Sequence, residues 1–253
     1  QIEPIGVVVP QTDEDVVRTI EIAREEGVPV LPRGGGTSQC GQTVGEAIII
    51  DTSKHLNRIV DFDATTGTVT VQPGIVLDEL NQFLRQHSVF FPIDPSTSSR
   101  ATLGGMAANN SCGGRSIRYG LTVNNVSAIE AVLADGTQHR FSHVPPNLEK
   151  FSADPRYMEL VRQIRSLGER EEAEEARRFP KLLRRVGGYN IDTISSEGHN
   201  MAQLLVGSEG TLAYFRKLEL ITYPIPSHNV LGICYFSSFR DAMDITQEIV
   251  KLD

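Results

Sequence analysis

The segment Gly34-Gly35-Gly36-Thr37-Ser38 constrains this chain more than any other feature. Consecutive glycines let the backbone adopt positive φ angles. Successive N–H groups can then face inward as an anion-binding nest, with the Thr37 and Ser38 hydroxyls as further donors. The segment lacks both the Gly-Lys-Ser/Thr of a P-loop and the GxGxxG spacing of a dinucleotide fingerprint. It predicts a pyrophosphate cradle, and a tight turn without a ligand is the alternative.

A second glycine-rich stretch covers residues 92–114. Gly104 and Gly105 permit close approach of the backbone to a flat ligand. Asn109 and Asn110 can hydrogen-bond to a heteroaromatic edge, such as the pyrimidine-like edge of a flavin. The alternative is a glycine-rich surface loop. The whole region 91–120 is much longer than the usual connection of about 4–6 residues, which favours a functional loop.

A third segment, residues 206–222, combines a glycine turn with a strand pattern. Gly207 and Gly210 shape the turn, and Glu209 can accept hydrogen bonds from loop N–H groups. Alone, this segment carries little information.

Composition narrows the possible partners. The chain has 253 residues with 40% apolar content, enough for one large or two small domains. A net charge of −8 argues against a nucleic-acid partner. Cys40, Cys112 and Cys234 have no metal-ligand spacing, so we expect no metal site, no disulfide and a cytoplasmic location. No apolar run reaches the roughly 20 residues of a membrane span.

Hydrophobic periodicity and turn residues predict the secondary structure. Predicted helices cover residues 12–27, 76–86 and 155–186, and another begins near Phe239. A charged face at 168–178 is expected to be solvated. Predicted strands cover 28–32, 47–51, 58–61, 68–72, 127–134, 137–141 and 230–236. Segments 203–206 and 212–223 flank the glycine turn. The first residue is Gln and the last residues resemble an unfinished helix, so we expect a fragment.

The order of motifs resembles a known family. The motifs are PRGGGTS (32–38), Pro-Ser…Thr-Leu-Gly-Gly (95–105), Asn-x-x-Gly-Gly (110–114), Tyr-Gly (119–120), Gly-Tyr-Asn (188–190) and Gly-Ser-Glu-Gly-Thr-Leu (207–212). This order resembles FAD-linked oxidases with the PCMH-type FAD-binding domain, of the vanillyl-alcohol oxidase superfamily. The nearest branch is that of the D-lactate, glycolate and D-2-hydroxyglutarate dehydrogenases. Segment 179–192 resembles large bacterial members in which an iron–sulfur module follows.

The resemblance implies an α+β fold. Residues 1–224 would form a PCMH-type FAD-binding domain of two subdomains with FAD between them, and residues 225–253 would begin a substrate (cap) domain. FAD would be non-covalent, because Thr37 and Ser38 stand where covalently linked relatives often have His. Ala213 replaces a common Gly, which leaves the geometry of that turn open. Cys112 is expected to be a small packing residue.

The resemblance also implies the cofactor-binding residues. Residues 33–38 would hold the pyrophosphate. Residues between 95 and 109 would line the flavin and its ribityl chain. Glu209, Gly210 and Leu212 would flank the adenosine or close the cleft. The full set is Arg33, Gly34, Gly35, Gly36, Thr37, Ser38, Pro95, Ser96, Thr97, Ser99, Thr102, Gly104, Gly105, Ala108, Asn109, Gly113, Tyr119, Gly120, Glu209, Gly210 and Leu212. No catalytic residue is assigned, because the family's substrate-binding and base residues lie mostly on the second domain.

The leading functional hypothesis is an FAD-dependent dehydrogenase of a small D-2-hydroxy acid. Its electrons would pass to a downstream carrier, for which the resemblance implies an iron–sulfur module of the full-length protein. The alternatives are an FAD-dependent oxidase or reductase of an alcohol, a sugar lactone or an enolpyruvyl sugar nucleotide, and an inactive FAD-binding module. Phosphotransfer is disfavoured, because no lysine follows the glycines.

Overall fold

A computed structural model of the chain describes residues 2–182 and 184–251, and these residues form an α+β fold, as predicted. The helices are α1 (Asp13–Glu25), α2 (Leu77–Arg85), α3 (Leu103–Ala108), α4 (Ser116–Tyr119), α5 (Pro155–Arg178), α6 (Met201–Leu205) and α7 (Phe239–Ile249). The strands are β1 (Gly6–Val8), β2 (Val30–Arg33), β3 (Ile48–Asp51), β4 (Ile59–Asp63), β5 (Thr68–Val71), β6 (Val89–Phe90), β7 (Val126–Leu133), β8 (Gln138–Phe141), β9 (His143–Val144), β10 (His199–Asn200), β11 (Ala213–Ile221) and β12 (Tyr223–Pro224).

The first subdomain is a small parallel sheet in the order β1-β3-β2, packed against α1. A capping box starts this helix where the sequence predicts it. The Thr12 side chain accepts a hydrogen bond from the Asp15 N–H (3.2 Å), and the Asp15 carboxylate accepts one from the Thr12 N–H (2.9 Å). Val16 and Ile20 then fall one helical turn apart and are buried. β2 leads directly into the glycine segment, which therefore lies at the end of this sheet.

The second subdomain is a five-stranded antiparallel sheet in the order β4-β5-β11-β7-β8. β11 occupies the centre and pairs with β5 on one side and β7 on the other. The large core lies between this sheet and helices α2, α3, α5 and α6, with Leu80, Met106, Val161 and Met201 among its buried members. The start of β11 and the short helix α3 are thereby fixed to one another.

A smaller apolar cluster joins the two subdomains. Val16, Ile20 and Ile50 of the first subdomain pack with Val132 and Tyr214 of the second. Polar contacts reinforce this junction: Arg216 forms an ion pair with Asp13 (3.0 Å), and Arg24 donates a hydrogen bond to the carbonyl of Asp135. The junction fixes the spacing of the two sheets, and a cleft lies between them.

Two local expectations were wrong. Region 91–120 is not a continuous loop, because α3 and α4 form within it. Helix α5 ends at Arg178 rather than at 186, because Pro180 pushes Phe179 into an extended conformation. Residues 203–205, for which the sequence predicted only a position beside the glycine turn, belong to α6.

The predicted strand at 230–236 is also wrong. The segment is a continuous apolar run, but the described residues offer it no strand partner, and Val230 is 95% exposed. A strand without a ladder is not stable by itself. The following helix α7 forms as predicted, with Ser238 as its N-cap. The assignment of 225–253 to a second domain stays a prediction.

In the part of the chain that the structure describes, no helix combines the length and the apolar character needed to cross a bilayer.

Helix α5 contains two arginines that differ in burial, and we expect them to differ in their contribution to stability. Arg165 is 8% exposed and donates hydrogen bonds to the carbonyls of Pro146 (2.8 Å) and Pro145 (2.9 Å). Arg170 is solvent-exposed and pairs only with its neighbour Glu171. We expect Arg165→Ala to lower the free energy of unfolding by about 2–4 kcal/mol, because the carbonyls of Pro145 and Pro146 lose a charged hydrogen-bond donor. Arg170→Ala should change it by less than about 0.5 kcal/mol. Urea denaturation followed by circular dichroism measures both, and equal effects would contradict this account.

Candidate functional site

The junction between the subdomains opens into a cleft of about 380 Å³. This volume lies within the usual range of small-molecule and cofactor sites. Its walls come from the glycine segment after β2, the turn at 95–97, the region of α3 (101–112), and the start of β11 with the turn before it. All three glycine-rich segments that the sequence singled out therefore meet in one place.

The first wall is the glycine segment, and its backbone donors have no protein partner. Among the described residues, no acceptor lies within hydrogen-bonding distance of the N–H groups of residues 34–38. Unpaired N–H groups are uncommon in folded proteins unless water or a ligand satisfies them. Five in succession beside a cleft match the donor array that a pyrophosphate requires.

Different structural constraints require glycine at positions 34, 35 and 36. Only Gly36 has a positive φ, of 62°. A Cβ on Gly34 would lie 1.9 Å from the Thr102 Oγ1, and one on Gly35 would lie 2.2 Å from the carbonyl oxygen of Arg100. Close approach of the second loop, rather than the backbone angle, therefore excludes side chains at Gly34 and Gly35.

The second wall is built around α3. Thr102 caps this helix through a hydrogen bond from the Gly105 N–H. Gly104 lies against Pro73, where a Cβ would come within 2.6 Å of the proline Cβ. Gly105 is exposed to the cleft. Asn109 is exposed as well, so its amide can reach a ligand.

Asn110 has a different role from the one that the sequence suggested. It is buried, adopts a positive φ of 49°, and its Oδ1 accepts a hydrogen bond from the Val123 N–H at 3.0 Å. Its amide oxygen therefore fixes the loop to the second subdomain.

The third wall is the turn before β11. The N–H of Gly207 donates to the carbonyl of Ala107, and that of Glu209 donates to the carbonyl of Ala108, both at 2.9 Å. Glu209 and Gly210 both have positive φ, and the Glu209 side chain is exposed beside the cleft. The turn is thus fixed to the C-terminal end of α3.

Most of the predicted cofactor-binding residues line this cleft. They are Arg33, Gly34, Gly35, Gly36, Thr37, Ser38, Pro95, Ser96, Thr97, Thr102, Gly104, Gly105, Ala108, Asn109, Glu209 and Gly210. Their contact with a cofactor stays a prediction, but the structure brings them together.

Five predicted residues lie outside the cleft lining: Ser99, Gly113, Tyr119, Gly120 and Leu212. Gly113 packs against Asp94, whose Oδ1 would be 2.1 Å from a Cβ. The ring of Tyr119 meets those of Phe90 (5.6 Å) and Tyr223 (5.0 Å) edge-on. These contacts brace the ends of the second loop.

The other three residues also have structural explanations. Gly120 has a φ of 74° and lies against Asn124. Leu212 packs onto the large core. Ser99 is exposed in the turn at 96–100.

The sequence analysis missed other lining residues, including Gln42, Thr43, Thr52, Pro73, Met106, Ser111, Val186 and Tyr214. Tyr214 is only 4% exposed, and among the described residues its hydroxyl has no hydrogen-bond partner. Burial, followed by the nearby Asp13 carboxylate, raises the pKa of Tyr214, so the hydroxyl keeps its proton and remains a donor. Tyr214 lies just beyond the Gly-Ser-Glu-Gly-Thr-Leu motif, where strand alternation could have indicated it. Gln42 carries no such signal.

The donor set fits FAD. The unpaired N–H groups suit its pyrophosphate, and the small residues of α3 leave room for a flat ring. The described residues contain no cluster of three or more His, Cys, Asp or Glu side chains that could hold a metal.

Comparison with known proteins also indicates an FAD-binding domain. A sequence model of the family described as "FAD binding domain" matches residues 4–142. D-2-hydroxyglutarate dehydrogenases from Haemophilus influenzae and Pseudomonas putida are 33% and 35% identical, over 98% and 95% of this chain and 25% of each relative. Glycolate oxidase subunit GlcD of Bacillus subtilis is 36% identical, over 98% of this chain and 43% of that protein. The chain thus spans a quarter to less than half of these relatives' length.

Solved structures agree on the fold. Two structures of alkyldihydroxyacetonephosphate synthase superpose with TM-scores of 0.59 and 0.60, covering 88% of this chain and 34% and 32% of theirs. Sequence identity in these superpositions is 21% and 22%, so the likeness concerns the fold alone. From the family match, the ordered motifs and the cleft together, the chain belongs to the FAD binding domain family of PCMH-type FAD-linked oxidases and dehydrogenases, whose cofactor is FAD.

Proposed function

We propose that this chain is the FAD-binding part of an FAD-dependent dehydrogenase that oxidises a D-2-hydroxy acid. The observation that carries the proposal is the row of unpaired N–H groups at 34–38 facing a cleft between two subdomains. FAD, when bound, supplies the hydride acceptor for oxidation of the substrate α-carbon. The substrate class rests on the names of the relatives, which include D-2-hydroxyglutarate dehydrogenase and D-lactate dehydrogenase.

Each wall of the cleft has a separate task in this proposal. The N–H groups of residues 34–38, with Arg33 beside them, hold the pyrophosphate. Gly105 and Asn109 border the flavin ring, where Gly105 leaves space and the Asn109 amide offers both a donor and an acceptor. The Tyr214 hydroxyl, in the lining of the cleft, is available to donate a hydrogen bond to the cofactor. Together these groups would hold the ring in one orientation.

The proposal extends to the whole protein. Residues 1–224 bind FAD non-covalently, and residues 225–253 begin the substrate domain, whose contact covers the exposed apolar side chains between Val230 and Tyr235. An iron–sulfur module accepts the electrons. Cys40, Cys112 and Cys234 are free thiols, in keeping with a reducing, cytoplasmic compartment.

An absorbance spectrum tests the proposal directly. The full-length protein is loaded with FAD, desalted and then precipitated with acid. We expect a flavin spectrum that D-2-hydroxyglutarate or D-lactate bleaches, and FAD in the acid supernatant. Colourless, folded protein would exclude FAD binding. Flavin retained in the pellet would exclude the non-covalent mode, and bleaching only by alcohols or sugar lactones would exclude the substrate class.

The contact between the two glycine loops yields a second prediction. Gly35→Val should prevent FAD retention through desalting, because its Cβ would collide with the carbonyl of Arg100 and push the loops apart. Gly114→Ala is the matched control: Gly114 is exposed and its Cβ would meet only the Asp94 Oδ2 at 3.8 Å. Flavin absorbance per folded protein measures both, and normal retention by Gly35→Val would contradict the assigned loop.

Gly105 allows FAD binding to be separated from folding. Because Gly105 faces the cleft, Gly105→Leu should fill the flavin position while leaving the core intact. We expect FAD affinity to fall more than about tenfold, with the melting temperature of the apoprotein unchanged within a few degrees. Fluorescence titration and thermal denaturation measure these two quantities. Unchanged affinity would place the flavin elsewhere.

A further inference from the structure

One cation lies beside the cleft without being among its lining residues. The Arg184 Nη2 lies 2.7 Å from the Sγ of Cys112, which lines the cleft. Val186, two residues further on, lines the cleft as well. The guanidinium of Arg184 therefore touches the cleft wall at Cys112.

Neighbouring arginines are neutralised, whereas this one is not. Arg177 pairs with Glu174 at 2.7 Å, and Arg185 pairs with Asp192 at 2.5 Å. Within the described ranges no carboxylate lies within 4 Å of Arg184. A thiol is a weak acceptor, so most of the five N–H donors of the guanidinium are available to another ligand.

The positive groups of the cleft are separate in space. Arg33 is the cation of the lining, and its guanidinium folds back over Gly36, where the Nη2 would lie 2.6 Å from a Cβ. It therefore belongs with the pyrophosphate loop. Arg184 instead contacts Cys112, three residues along the chain from Asn109, which we propose borders the flavin ring.

We propose that Arg184 binds the carboxylate of the anionic substrate and so determines specificity for 2-hydroxy acids; this inference rests on the proposed function. Hydride transfer requires the α-carbon to lie against the flavin, and the carboxylate is bonded to that carbon. The chain carries a net charge of −8, so an anion needs a local cation at this position. A guanidinium offers two parallel donors that match a carboxylate, which a lysine does not.

The experiment uses the FAD-loaded full-length protein and three variants. Arg184→Gln removes the charge, and Arg184→Lys keeps it without the fork. Arg178→Gln is the control, because Arg178 is an exposed arginine of the same segment that pairs with Glu174 on α5. Oxalate, a dicarboxylate that has no α-hydrogen to lose, is titrated against the flavin absorbance. FAD affinity, kcat and the KM for D-2-hydroxyglutarate are measured alongside.

We expect Arg184→Gln to weaken oxalate binding and raise KM by about tenfold to a hundredfold, with FAD affinity unchanged. Arg184→Lys should fall between this variant and the wild type, and Arg178→Gln should match the wild type. Unchanged oxalate binding and KM in Arg184→Gln, with the wild type active, would overturn this inference alone. A parallel loss of FAD affinity would overturn it by assigning Arg184 to the cofactor. A wild type that holds FAD but responds to neither oxalate nor D-2-hydroxy acids would overturn both proposals.

Discussion

The close approach of two loops is the constraint on which the rest of this structure depends. Gly34 and Gly35 meet Thr102 and Arg100 at distances that leave no space for a Cβ. At this contact, residues 34–38 diverge from the parallel sheet, and their N–H groups make no hydrogen bonds to neighbouring strands. The same contact holds α3 beside that loop, and α3 in turn fixes the turn before β11 through Ala107 and Ala108. Three segments distant in sequence thus form one cleft.

The subdomain junction complements this contact. Val16, Ile20 and Ile50 pack against Val132 and Tyr214, and the ion pair of Arg216 with Asp13 lies alongside. Apolar packing behind the cleft sets the distance between the sheets, whereas the glycine loops set the shape at its mouth. The binding site therefore needs both subdomains in place before any ligand arrives.

The sequence predicted the fold class and most of the residues that line the cleft. Glycine runs and ordered motifs made this possible, because they reflect the backbone conformation of short segments. Sequence analysis did not predict features that depend on contacts between segments distant in the chain. The roles of Gly34 and Gly35 depend on a loop some 65 residues away, and Gly104 depends on Pro73. An apolar run suggested a strand at 230–236, but a strand also needs a neighbouring strand, which a local sequence pattern cannot supply.

The unpaired N–H groups of the glycine segment also have a consequence for the protein in the cell. A donor array without partners is weakly held, so ligand occupancy adds stability as RT ln(1 + [L]/Kd). FAD bound in this cleft would therefore raise the free energy needed to open the loop and the adjoining sheet edge. The occupied form would then resist proteolysis better than the vacant form.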